Sequence, residues 1–149
     1  MKVTLQKVLM AHLAIRAIEK EKASNRFAYG IAKNKAKMRA DIAGIEAAET
    51  EITELEEKRL DYCLKHCTKD KDGKPLSENG EFVGIDKTDP EIIVFVAELK
   101  KLQVAHADLL KSETEIDFHM IDFKDVPDQI TPADFENLSI FIKEPENSK

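Results

Sequence analysis

Cys63, His66 and Cys67 come nearest, by type and spacing, to a reactive site in this chain. On a helix, positions i, i+3 and i+4 share one face, and thiolates with an imidazole are good zinc ligands. A four-coordinate site needs a further ligand, and the remaining histidines are His12, His106 and His119. The usual structural zinc spacings are missing, so small buried thiols near a helix end are the expected reading. A disulfide between positions four apart on a helix would be strained, so reduced thiols and synthesis in a cytoplasm are expected.

Asp70-Lys71-Asp72-Gly73 resembles part of a calcium loop. With Gly73 in its sixth position, Asn79 would stand where the bidentate Glu belongs. Pro75 and the Asn79-Gly80 pair fit a β-hairpin better. Asp117, Asp122, Asp125 and Asp128 could pair as carboxylates for hydrolysis, but no nucleophile or phosphate-binding loop accompanies them. A solvated strand edge is expected there instead. His12 and His106 lie on or beside apolar stripes and read as hydrogen-bonded core residues. No catalytic residue, cofactor or metal is therefore expected, and an enzyme is the least supported class.

Composition agrees with a folded helical chain. Of 149 residues, 42% are hydrophobic and 35% charged. The formal net charge of −6 argues against a protein that binds nucleic acid over its whole surface. The apolar start, Met1 to Ile18, is interrupted by His12 and Arg16 and is followed by no convincing cleavage site, so neither a signal peptide nor a membrane partner is expected.

Such residues must be positioned by something, and the sequence offers one long helix, about 26 to 66. Apolar residues recur every seven positions at Ile31, Met38, Ile45 and Ile52. A second file runs through Phe27, Ala48, Leu55 and Tyr62. This is a coiled-coil-like a/d pattern, and the helix would be about 60 Å long. Its small-residue centre (Ala40, Ala43, Gly44, Ala47, Ala48) is expected to let another backbone approach closely.

The expected fold is mainly α (α+β), one helical domain over 1–149. Two shorter helices, about 5–22 and 90–111, fold back antiparallel on the front and back halves of the long one. Thr4 and Asp89-Pro90 are their starts. A hairpin is expected at about 74–83, and alternation gives a strand at about 115–121 with Ile116, Phe118 and Met120 on one face. Lys2 to Leu5 is expected to pair with Ile116–Ile121. Thr131-Pro132 should open a last helix ending near Ile142, its cap completed by Asp134, with a frayed tail from Glu144.

Charge divides the long helix. From Lys20 to Arg39 there are seven bases and one acid; from Asp41 to Glu57 there are seven acids and no base. A solvated surface is the plainest explanation. The halves are also complementary in an antiparallel homodimer, in which Lys33, Lys35 and Lys37 would meet Glu49, Glu51 and Glu54 of a second copy, with Arg39 a further candidate for partner binding. A third possibility is nucleic acid or an acidic host protein on segment 20–39.

Several stretches together resemble a family of small phage-encoded proteins of unknown function. They are the lead-in Lys2-Val3-Thr4-Leu5-Gln6, the segment Phe27 to Asn34, the stretch Asp70 to Phe82, the segment Glu115 to Val126, and Thr131-Pro132. The Ala-rich centre and the Cys63/Cys67 pair lie outside that pattern. The resemblance implies a phage or prophage protein encoded among virion genes, in the host cytoplasm during synthesis and then in the virion or its assembly. It implies no catalytic residue. The leading expectation is a non-enzymatic protein acting in virion structure or assembly through helical contacts. The rival is a regulatory or inhibitory protein acting through the basic segment.

Overall fold

The computed structural model describes residues 1–145. The tail expected to fray lies, from residue 146, outside the described residues. The chain is mainly α. Its elements in order are β1 (Lys2–Thr4), α1 (Leu5–Ile18), α2 (Asn25–His66), β2 (Ser77–Glu78), β3 (Glu81–Phe82), α3 (Pro90–Lys111), β4 (Glu113–Glu115), β5 (Ile121–Asp122), α4 (Pro132–Leu138) and β6 (Ile142–Lys143). Short 3-10 turns precede α4 and follow it. The long helix is uninterrupted, and no residue of its isoleucine file is exposed. The chain forms two compact units, one of residues 1–46 with 108 onward and one of residues 47–107.

In the first unit, α1 starts where Thr4 Oγ1 accepts from the Lys7 N–H at 3.3 Å. It ends at Ile18, not Lys22, because Glu19–Lys22 offers no apolar side chain to bury and the chain reverses. Ser24 then caps α2, its Oγ accepting from the Phe27 N–H at 3.2 Å. Val8, Ala11 and Ile15 of α1 share one core with Met38, Ile42 and Ile45 of α2 and with Phe118, Leu138 and Phe141. α4 packs against α1.

The strand expectation needs correction. β1 pairs antiparallel with β4, Lys2 opposite Glu115 and Thr4 opposite Glu113, ahead of the predicted partner. Residues 116–120 have no regular structure. Their backbone is held by side chains instead. The buried Asn34 amide takes the His119 N–H on its Oδ1 and donates from Nδ2 to the His119 carbonyl, both at 2.8 Å. Lys37 Nζ donates to the Asp117 carbonyl. The alternation slips at this clamp: Ile116 and Phe118 are buried, Met120 is 36% exposed, and Ile121 turns inward. β5 pairs in parallel with β6, so the last helix stops at Leu138 rather than near Ile142. Thr131 Oγ1 accepts from the Asp134 N–H at 3.2 Å, the forward half of the expected capping box.

The small-residue centre also differs from expectation. A Cβ added at Gly44 would meet nothing within 4 Å, and Ala40, Ala43 and Ala47 are exposed. Close approach occurs at Gly30, where an added Cβ would lie 2.5 Å from Ile121 Cγ1.

In the second unit, α2 and α3 run antiparallel, hydrogen-bonded to each other near one end. Tyr62 Oη donates to Asp89 Oδ2 at 2.6 Å, and the Tyr62 and Phe95 rings lie 5.8 Å apart. At the other end His106 Nε2 approaches Glu49 Oε1 at 3.5 Å. Asp89 Oδ1 accepts from the Glu91 N–H at 2.9 Å, the expected start of α3. Between the helices, Asn79 and Gly80 carry φ of 51° and 80°, as a type I′ hairpin requires. Among the described residues of this unit, only Cys63, Cys67, Ile92 and Leu99 are buried apolar side chains.

Candidate functional site

Local hydrogen bonding accounts for the titratable groups whose proton affinity is clearly displaced. The Lys35 ammonium, by hydrogen bond and then charge, holds Glu19 below the usual carboxylate range. The Thr88 hydroxyl and N–H do the same for Asp86 inside a turn. Asp89 is lowered first by the Tyr62 hydroxyl and then by the Glu91 N–H. Tyr62 is pushed up to about 12, chiefly by its hydrogen bond to Asp89. These groups hold turns and helix ends.

The sequence candidates separate in space. Cys63 and Cys67 are buried free thiols, while His66 is exposed with its ring 4.1 Å from that of Tyr62. Among the described residues, no group of three His, Cys, Asp or Glu could hold a metal. Asp70 Oδ1 accepts from the Asp72 and Lys74 N–H groups, both at 2.9 Å, and so folds its own turn. His106, expected to be hydrogen-bonded, has a buried Nε2 with no hydrogen-bond partner, Glu49 Oε1 lying 3.5 Å away.

The basic residues proposed for an antiparallel dimer are partly engaged within the chain. Lys33 Nζ stands 5.2 Å from the centre of the Tyr29 ring, Lys35 pairs with Glu19, and Lys37 holds the Asp117 carbonyl. Arg39, Glu51 and Glu54 are exposed and form no ion pair among the described residues, and Glu49 faces His106.

What sequence reasoning missed is an open groove within the second unit, with a cavity volume of about 720 Å³. Its apolar lining comes from Leu60 and Cys63 of α2, Phe82 and Ile85 after the hairpin turn, and Ile92, Ile93, Val96 and Ala97 of α3. Arg59, Lys87 and Lys100 stand around it with Glu81. Arg59 is already bound to Glu56 at 3.0 Å. Much of the lining is wet: Leu60 is 43% exposed, Ile93 54% and Val96 56%, and Val104 further along α3 is 53% exposed. Val96 belongs to a second face of α3, apart from the buried Ile92 and Leu99. The signal was present as an apolar file at Ile93, Val96, Ala97 and Val104, beside the file through Ile92, Phe95 and Leu99.

Comparison of the chain with protein-family models, curated proteins and solved structures finds no match. Among the described residues, no helix is long and apolar enough to cross a membrane.

Proposed function

We propose that this chain is a non-catalytic interaction protein that takes a protein helix onto the α2/α3 hairpin of residues 47–107. The observation that carries the reading is the groove. A unit with four buried apolar side chains leaves Leu60, Ile93, Val96 and Val104 wet along one side. Apolar surface of this kind, continuous and rimmed by charge, is a mark of protein contact sites. Helix-in-groove recognition reads such files as anchors. The resemblance to phage-encoded proteins supplies the setting, a virion component or an assembly factor. Binding of an anionic partner through segment 20–39 is the weaker reading, since Lys33, Lys35 and Lys37 already have partners in the chain.

The test is site-specific photo-crosslinking in cells that make the protein. A photoreactive side chain at Val96 or Leu60 should give a discrete protein adduct, and one at the exposed Ala43 should give none. No adduct at either groove position, or equal adducts at all three, rejects the reading.

A further inference from the structure

We infer that the occupant of the groove is a second copy of this chain, the two α2/α3 hairpins forming a four-helix bundle about a twofold axis parallel to the helices. The inference rests on the proposed interaction role and names its partner.

Three observations lead to it. The first is the thin core of the unit. A hairpin that buries Cys63, Cys67, Ile92 and Leu99 while exposing a second apolar file is half of a bundle. The second is the level at which the helices pair. Tyr62 beside Phe95, and Glu49 beside His106, put Glu56 and Glu57 of α2 at the height of Lys100 and Lys101 of α3. The third is the charge on the two walls. Glu56 and Glu57 precede Leu60 by one turn and share its edge, whereas Lys100 and Lys101 follow Val96 and Ala97 by one turn. Because Glu56 is bound to Arg59 of its own wall, the α2 wall keeps one uncompensated acid, Glu57, at the height where the α3 wall carries two bases. Glu57, Lys100 and Lys101 form no ion pair among the described residues.

A helix of one sign laid in this groove meets like charge on one side of it: Glu57 beside α2 for an acidic helix, Lys87 and Lys100 for a basic one. A second hairpin turned about the parallel axis keeps its heights and exchanges its walls. Its α3 then lies along this α2 and its α2 along this α3, both antiparallel. Lys100 and Lys101 meet Glu56 and Glu57 on each side, and Leu60 meets the Val96–Val104 file. The contact is isologous and closes at two copies. It differs from a dimer through Lys33, Lys35 and Lys37, which are not residues of the 47–107 hairpin.

Sedimentation velocity at low salt over a wide concentration range tests this on the full chain. The expected species has twice the 16.9 kDa mass. Glu56→Lys with Glu57→Lys should raise the dimer dissociation constant by about tenfold or more, as should Lys100→Glu with Lys101→Glu. Mixing the two variants should restore the dimer, because both contacts of the heterodimer are then attractive. Circular dichroism of each variant alone separates loss of pairing from loss of fold. Lys33→Glu, Lys35→Glu and Lys37→Glu together should leave the mass at twice the monomer; dissociation there, with the groove variants still dimeric, overturns the placement. A strictly monomeric wild type whose Val96 photoproduct contains a different protein overturns the second copy and leaves the interaction role standing. A monomer with no photoproduct overturns both.

Discussion

Asn34 acts as a strand would. Its amide gives one donor and one acceptor to the His119 backbone, and at 0% exposure it has no water to replace them. Asn34→Ala leaves that N–H and carbonyl without partners, and we expect a loss of about 1–3 kcal/mol in urea unfolding. The two helical glycines should respond with opposite sign. Gly44 faces open space, so Gly44→Ala should stabilise by about 0.5–1 kcal/mol through helix propensity alone. Gly30 admits Ile121 against the helix backbone, and Gly30→Ala should destabilise despite the same gain in propensity. Thermal melts of the pair decide both signs. The sequence shows two glycines in one helix, and nothing local distinguishes them. Their difference is the presence of Ile121, 91 positions along the chain from Gly30.

At the level of elements, the cap of α3 and the body of α2 are joined by the Tyr62–Asp89 hydrogen bond. Asp89 titrates below its ordinary value when folded, so its contribution is present above the usual carboxylate range and lost as pH falls through the lowered pKa. Tyr62 titrates above its ordinary value, so its contribution is complete below the usual phenol range and lost as pH rises through about 12. The stability difference between wild type and Tyr62→Phe should therefore be flat across neutral pH and shrink at both extremes. Denaturant melts over the pH range measure it, and a difference that grows in acid would contradict the assignment. Element identity itself was legible in the sequence. The caps at Thr4, Asp89 and Thr131 and the Asn79-Gly80 turn are local chemistry, and each forms where the sequence places it. The segment from Ile116 to Ile121 was misread because its alternation is real for only its first half. A side-chain clamp, which has no period, then resets the register.

For the molecule as a whole, the two units differ in how much they bury. The first carries Val8, Ile15, Met38, Ile45, Leu138 and Phe141 at 0% exposure, and the second has no side chain so fully enclosed. Local opening follows buried apolar contact, so amides of 92–107 should exchange with solvent faster than those of Val8–Ile15 and Met38–Ile45 in dilute protein. If the hairpins pair, the protection of 92–107 should rise with protein concentration while that of Val8–Ile15 stays constant. Hydrogen exchange followed by mass spectrometry at two concentrations reads both. The candidate groove was only half legible. The apolar file Ile93, Val96, Ala97 and Val104 stands in the sequence, but periodicity does not say whether anything covers it.

Local chemistry in the sequence was enough for the long helix, its caps, the hairpin and the mainly α class, because hydrogen bonds and periodicity act over a few residues. Tertiary packing alone decided which apolar file of α3 is buried, which glycine is crowded, which strand β1 joins and which lysines have partners. Each of these depends on residues tens of positions apart being brought within a few ångströms, and nothing in a short window of sequence records which distant side chain arrives.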